Sequence, residues 1–197
     1  MSLIKMSLYD VAGYEPAIRS MRAAMKSYDK SDTTNEGIGP VDKALVEKLI
    51  LGGPEHSKCI RQIIAWFELT TSRYVFQEFD TYRIGVEKGS ESTMHMIASR
   101  LLEYTDFEED AIHSETLVYL NELIMIYRET RDIKDFLKLK RALPEGFLQI
   151  RHICASYQAL RNMYSQRRKH KLPQWREFCE ILEKFPESWI ITTGIKD

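Results

Sequence analysis

The chain has 197 residues, with 28 Lys and Arg against 29 Asp and Glu, so its net charge is −1. Apolar residues make up 44% and charged residues 29% of the chain, which excludes disorder over most of its length. The near-zero charge also excludes a global positive field that would hold nucleic acid, although local basic clusters remain open.

The cysteine pattern and the lack of long apolar runs predict a cytoplasmic protein. Cys59, Cys154 and Cys179 are odd in number and widely spaced, which favours reduced thiols over disulfides, and no CxxC pair indicates zinc. No stretch approaches the ~20 apolar residues that span a bilayer. Residues 1–5 lack the apolar core of a signal peptide.

The first part of the chain alternates strand and helix signals. Loose alternation and β-prone composition predict two strands, and apolar residues at helical spacing predict two helices. The polar stretch between the helices predicts a surface loop, and Gly52-Gly53-Pro54 ends the second helix. In chain order the predicted elements are a strand within 1–14, a helix over 15–27, a loop over 29–40, a helix over 41–51 and a strand over 63–69.

The remainder is predicted to be mainly helical. Pro144 and the basic loop 167–171 separate three helical stretches, and a glycine-containing loop precedes them. Strands followed by helices favour an α+β fold, with a mixed sheet and a helical C-terminal half in a single domain over 1–197. The predicted elements are a functional loop over 85–93 and helices over 113–141, 146–167 and 173–184.

Two charged stretches are candidates for chemistry. The loop Gly89-Ser90-Glu91-Ser92 offers hydroxyls and a flexible backbone to a phosphate, and Arg83 supplies a planar guanidinium. The alternative is a solvated helix face that ends in a turn with Ser as an N-cap. Basic residues further on indicate an anion site or cations that complement a helix dipole. They are Arg141, Arg151, Arg161, Arg167 and Arg168.

The order of these pieces resembles the flavin-dependent thymidylate synthases (ThyX), in a divergent, phage-type branch, over about residues 8–190. Family members carry an HxSxxEH segment, a strand and the signature RHRxxSxNxxSxRY. His56 stands at the first His. Tyr82-Arg83-Ile84-Gly85 resembles the end of the RHRxxS portion, and Gly89-Ser90-Glu91-Ser92 resembles the NxxS portion.

Later segments extend the resemblance toward the C-terminus. Arg141-Ala142-Leu143-Pro144 matches an Arg-Leu-Pro segment of the family. Asn162 and Arg167 fall at matching helix positions, and Gln174-Trp175 resembles the start of the last helix.

The resemblance implies a homotetramer with shared active sites that converts dUMP to dTMP, with FAD as cofactor and NADPH and methylenetetrahydrofolate as co-substrates. It assigns no metal and no catalytic side chain, and it gives no reason to expect nucleic acid as a partner. The substrate-binding residues it implies are Glu78, Ser92, Arg141 and Arg167. The flavin-side residues it implies are His56, Arg83, Ser90 and Asn162.

Several positions depart from the signature. Thr81 and Tyr82 replace its first Arg and its His, while Met94 and His95 replace its final Arg and Tyr. The change at Met94 removes a phosphate-binding guanidinium, for which Arg73 or His95 are candidates to compensate. These departures leave two alternatives open: a related pyrimidine-nucleotide modification such as hydroxymethylation, and an inactive oligomeric binding or scaffold protein of the same fold.

Overall fold

The chain combines helices with one sheet in a computed structural model that describes residues 3–195. The strands are β1 (Lys5–Ala12), β2 (Ile64–Ser72), β3 (Val86–Ser90) and β4 (Leu148–Ser156). They form a sheet in the order β1-β2-β4-β3, so β2 and β4 are its central strands. The predicted α+β class is confirmed.

Helices make up most of the remaining regular structure. Within residues 3–195, none is long and apolar enough to cross a membrane. The helices are α1 (Tyr14–Ala23), α2 (Pro40–Gly52), α3 (Arg73–Phe79), α4 (Thr93–Met96), α5 (Ser114–Thr130), α6 (Ile133–Ala142), α7 (Tyr157–Arg167), α8 (Pro173–Leu182) and α9 (Trp189–Thr192).

The chain divides into two compact units. As far as the structure describes them, unit 1 comprises residues 3–69, 82–88 and 152–195, and unit 2 comprises residues 70–81 and 89–151. Each unit has its own apolar core, described below. The single domain expected over 1–197 stays a prediction.

Aromatic side chains dominate the core of unit 1. Phe67 of β2 lies 6.4 Å from Phe178 of α8, and Trp175 lies 5.5 Å from the same ring at a near-perpendicular angle. The edge-to-face contact between Trp175 and Phe178 adds to the free energy gained by burial. The strand–helix contact therefore anchors α8, the segment that follows the basic loop 167–171.

A helical hairpin supplies the core of unit 2. Leu120 and Ile124 of α5 are fully buried with Leu139 of α6, and Phe136 is 4% exposed. These residues recur at spacings of three and four, which places them on one face of each helix. The hairpin thereby fixes the last turn of α6, where a predicted substrate residue lies.

The early elements match the sequence expectations. The first strand, the loop before α2, the helix over 41–51 and the strand over 63–69 are confirmed, and β2 extends that last strand to Ser72. The helix predicted over 15–27 ends earlier, at Ala23, and Lys26 adopts the left-handed conformation at φ 48°.

Two predictions for the sheet were wrong. The helix expected over 146–167 begins only at Tyr157, because Leu148–Ser156 forms the central strand β4. The loop expected over 85–93 contains β3 over Val86–Ser90, although Gly89 and Ser90 have low strand propensity. Pairing within the sheet overrides the local preference in both segments.

The helix predicted over 113–141 is two helices. Arg131 takes the left-handed conformation at φ 55° and ends α5, and the Asp132 side chain then caps α6 by accepting the Lys134 N–H at 2.8 Å. An Asp that accepts such a bond satisfies an otherwise unpaired donor at a helix start. The hairpin turn is therefore built by Arg131 and Asp132.

Candidate functional site

The predicted site residues fall into both compact units, and each group is described within its own unit. The group in unit 1 consists of His56, Arg83, Asn162 and Arg167. The group in unit 2 consists of Glu78, Ser90, Ser92 and Arg141.

In unit 1, Arg167 lies within a cluster of aromatic rings at the end of α7. Its Nε donates to the Tyr82 hydroxyl at 2.9 Å, and its Nη1 lies 2.8 Å from His170 Nε2. The guanidinium carbon stands 4.7 Å from the Trp175 ring centroid. The guanidinium is thus held in place by a stacking contact and by directed hydrogen bonds.

Tyr82 is one of the departures from the family signature, and its side chain has defined partners in unit 1. It stands where the family has a His, and its ring lies 6.0 Å from that of Trp175. Its hydroxyl donates to Gln166 Oε1 at 2.8 Å while it accepts the Arg167 bond. Tyr82 therefore orients the guanidinium that the sequence assigned to the nucleotide.

Arg83 follows at a tight turn in unit 1. Its side chain is exposed and makes no hydrogen bond or ion pair with the rest of the described chain. Gly85 has φ +70°, and a Cβ there would lie 2.6 Å from Ser156 Oγ. The turn requires glycine and leaves the nearby Arg83 guanidinium available to an anion.

His56 and Asn162 are both exposed side chains of unit 1. His56 lies in the turn after α2, where its Nε2 is 3.6 Å from Glu55 Oε1. Asn162 lies on α7 and accepts a hydrogen bond from Gln158 at 2.9 Å. Both offer polar groups to a ligand, and neither is committed to the core.

In unit 2, Lys140 lies against the start of α4. Its ammonium donates a hydrogen bond to the hydroxyl of Thr93, the neighbour of the predicted substrate residue Ser92. Burial and the charge of nearby Arg73 lower the pKa of Lys140. No carboxylate among the described residues pairs with this ammonium, so an added anion would stabilise its charged form.

Arg73 supplies the second cation of this cluster. It is the first residue of α3, and its Nη1 donates to the Leu143 carbonyl at 2.9 Å. Its Nη2 is 3.8 Å from Glu145 Oε1, a loose ion pair. We name Arg73, Thr93 and Lys140, together with Ser92, which precedes Thr93 in the chain, the Lys140 cluster: two cations and two hydroxyls, a donor set suited to a phosphate.

The other predicted residues of unit 2 are close to the Lys140 cluster in the sequence but are not members of it. Arg141 is exposed and has no hydrogen bond or ion pair within residues 3–195. Ser90 ends β3 and is exposed, and Glu78 is half-buried on α3. Met94 is 59% exposed, so the position that lost the signature guanidinium is accessible.

Lys140 was not among the predicted site residues, although the sequence carries a signal for it. Lys140 follows buried Phe136 by four residues, which places both on the inward face of α6, whereas the neighbouring Arg141 is turned outward. Arg73 was already a candidate for compensating the change at Met94, and the Lys140 cluster supports that idea. No group of His, Cys, Asp and Glu in the described part of the chain is suited to bind a metal ion.

The fold defines a structural class. Solved structures of flavin-dependent thymidylate synthases superpose on this chain over nearly its whole length, so the predicted resemblance is confirmed at the level of the fold. No protein-family profile and no curated protein sequence matches the chain.

Two crystal structures show the extent of the likeness. Thymidylate synthase X (ThyX) from Helicobacter pylori, solved with FAD and dUMP, has a TM-score of 0.74 and 18% identity, covering 97% of each chain. A second structure of the flavin-dependent enzyme from that organism, complexed with FAD and dUMP, also has a TM-score of 0.74 and 18% identity. It covers 96% of this chain and 98% of its own.

Proposed function

We propose that this chain is a flavin-dependent thymidylate synthase-like enzyme that binds FAD and dUMP. The observation that carries the proposal is the Lys140 cluster, a phosphate-suited set of side chains in a chain with the ThyX fold. Both Helicobacter pylori structures contain FAD and dUMP, which supports the same ligand pair here.

The substrate phosphate is assigned to the Lys140 cluster. A phosphate dianion accepts several charge-assisted hydrogen bonds, each worth ~1.5–3 kcal/mol. Lys140 contributes a compact positive charge and Arg73 a planar guanidinium, while the Ser92 and Thr93 hydroxyls donate from the neighbouring turn. This arrangement compensates for the Arg that Met94 replaces.

The remaining predicted contacts of unit 2 stay part of the proposal. Arg141 is a second candidate for the phosphate, and its outward side chain contrasts with that of Lys140. Glu78 and Ser92 are assigned to the nucleotide and Ser90 to the flavin. Single substitutions at 140 and 141 decide which cation contacts dUMP.

The residues of unit 1 fit an anionic, planar cofactor. Arg83 has an uncommitted guanidinium, and His56 and Asn162 present exposed polar groups. When bound, FAD supplies the hydride chemistry that the protein's own side chains lack. Arg83 then binds the anion, while His56 and Asn162 orient the cofactor through hydrogen bonds.

Arg167 is assigned to the pyrimidine. Its contacts with Tyr82 and Trp175 fix the guanidinium before any ligand arrives, and this preorganisation lowers the cost of binding. NADPH and methylenetetrahydrofolate as co-substrates, and a homotetramer as the assembly, complete the proposal. Mass spectrometry of the products from dUMP, NADPH and methylenetetrahydrofolate distinguishes dTMP from a hydroxymethylated base or from no reaction.

Calorimetric titration with dUMP and with deoxyuridine tests the phosphate assignment. Lys140→Gln should weaken dUMP binding by roughly 10- to 150-fold and leave the much weaker binding of deoxyuridine unchanged. Lys138→Gln is the matched control, because Lys138 is 63% exposed and pairs with Asp135 three residues earlier on the same helix. Equal dUMP affinity in Lys140→Gln and wild type would remove Lys140 from the site.

A further inference from the structure

A second cationic site lies in unit 2, at the end of α5. A cavity of about 310 Å³ opens there between α4, the turn after it, and the last turn of α5. We call it the α4–α5 cleft. Its lining residues are Met94, His95, Ala98, Ser99, Tyr127, Arg128 and Arg131.

The ionisable side chains that line this cleft are basic. Arg128 and Arg131 carry positive charges, His95 adds an imidazole, and no carboxylate is among the lining residues. Neither arginine forms an ion pair within the described residues. Two neighbouring guanidiniums without a carboxylate repel each other and gain from an anion placed between them.

Arg128 is anchored for such a role. Its Nε donates to the Ala98 carbonyl at 2.7 Å, which fixes the plane of the guanidinium. The two terminal nitrogens remain as donors. Ser99 has already donated its hydroxyl hydrogen to the Met96 carbonyl at 2.7 Å, so the charged side chains are the principal donors of the cleft.

Arg131 occupies a position where glycine is usual. Its backbone is left-handed at φ 55°, and its N–H bonds to the Tyr127 carbonyl at 2.9 Å to end α5. The guanidinium carbon lies 5.8 Å from the centroid of the Tyr127 ring, which itself packs against Phe136. The chain thus keeps a large cation at a strained position beside the cleft.

We propose that the α4–α5 cleft binds the phosphate group of a small phosphorylated ligand through Arg128 and Arg131. A volume of about 310 Å³ is near the lower end of small-molecule sites, roughly 300–1,000 Å³, and suits a phosphomonoester or a pyrophosphate group. The lining residues include no member of the Lys140 cluster, so the inference does not rest on the proposed function.

Pyrophosphate is the probe for this site, titrated calorimetrically into the full chain with saturating dUMP present. Wild type should bind it, and Arg131→Gly should weaken binding by roughly tenfold or more. Arg131→Gly suits the backbone at this position, so loss of folding does not confound the result. Arg131→Lys keeps the positive charge but lacks the planar guanidinium, so its affinity for pyrophosphate should fall between those of wild type and Arg131→Gly.

Lys134→Gln is the matched control, because it removes one exposed cation of the same helical hairpin that does not line the cleft. It should bind pyrophosphate as wild type does. Absence of pyrophosphate binding, or equal binding by wild type and Arg131→Gly, would overturn the inference. Pyrophosphate binding that depends on Arg131 in a protein that fails to bind dUMP would uphold the inference and refute the proposed function.

Discussion

The ammonium of Lys140 donates a hydrogen bond to the hydroxyl of Thr93, and this bond joins the last turn of α6 to the first residue of α4. The contact places a partly buried cation against the residue that follows Ser92, which the sequence assigned to the substrate. A buried cation without a carboxylate partner is costly unless a ligand supplies the opposite charge. The relationship between these two side chains is the basis of the phosphate assignment.

The affinity for dUMP should therefore depend on pH at the alkaline end. Burial and the charge of Arg73 lower the pKa of Lys140 in the ligand-free protein, and a bound dianion favours the charged amine and raises that pKa. Affinity is fully present below the lowered pKa and is lost as the pH rises through it. Calorimetry across the alkaline range should show proton uptake on binding.

Lys140→Arg is the control for this pH dependence. Arginine stays charged throughout the range, so the alkaline loss of dUMP affinity should disappear in the variant. An identical alkaline loss in wild type and Lys140→Arg would assign the titration to another group.

Asp42 should be a major determinant of the stability of unit 1. It is fully buried, and both Nε and Nη2 of Arg22 lie 2.6 Å from its Oδ1. Asp42→Asn leaves the Arg22 charge buried without its partner and should lower the free energy of unfolding by about 3–5 kcal/mol. Urea denaturation followed by circular dichroism measures this change, with the exposed Asp29→Asn as the near-neutral control.

The Asp42 effect should also depend on pH. Burial alone would raise the pKa of Asp42, but hydrogen bonds from Ser31, Thr33, Arg22 and the Asp32 N–H outweigh it and lower the pKa. A carboxylate with a lowered pKa stabilises the fold above its unfolded value, ~3.9, and loses that effect as the pH falls through the folded value. The gap between wild type and Asp42→Asn should therefore shrink in acid, and a constant gap would contradict this account.

Gly85→Ala should destabilise the turn that carries Arg83. The residue has φ +70°, and the added Cβ would lie 2.6 Å from Ser156 Oγ, which caps α7 by accepting the Ala159 N–H. Left-handed backbone strain of ~1–2 kcal/mol and a disturbed cap worth ~1 kcal/mol act together. Thermal unfolding should show a lower melting temperature for Gly85→Ala than for wild type.

Gly89→Ala is its matched control, because no atom lies within 4 Å of a Cβ at that position and its φ is not positive. It should change the melting temperature far less. Equal shifts for the two glycine variants would show that the Gly85 turn is not constrained as described.

Arg131→Gly should stabilise the chain. Glycine accepts the left-handed conformation at φ 55° without the ~1 kcal/mol or more that arginine incurs there. The melting temperature should rise, whereas Glu129→Gly, inside the last turn of α5, should lower stability by about 1 kcal/mol. A fall for Arg131→Gly would mean that its side-chain contacts outweigh the backbone strain.

Local signals predicted the elements that carry strong patterns. The strand over 63–69 is rich in β-prone residues, and Gly52-Gly53-Pro54 marks the end of α2, so both agree with the structure. The strand β4 was missed because it runs directly into α7 without a glycine or proline. Its boundary is marked in the sequence only by Ser156, a residue type that favours the N-cap position. In the structure its side chain accepts the Ala159 N–H at the start of α7.

The candidate site was only partly predictable, because packing decides which side chains of a helix face inward. The family motif fixes only the order of residues along the chain, and that order points to Arg141, the cation next to Leu143-Pro144. The choice between Arg141 and Lys140 depends on which face of α6 turns inward, and that is decided by the packing of Phe136 and Leu139. The aromatic surroundings of Arg167 arise from distant segments, so the sequence alone could not place Tyr82 against Trp175.

The most direct test of the central claim is the absorption spectrum of the purified chain after saturation with FAD and removal of free cofactor, followed by titration with dUMP. The account predicts a retained flavin spectrum that dUMP perturbs, with the perturbation strongly weakened in Lys140→Gln and intact in Lys138→Gln. A protein that retains no flavin and shows no response to dUMP would contradict the account.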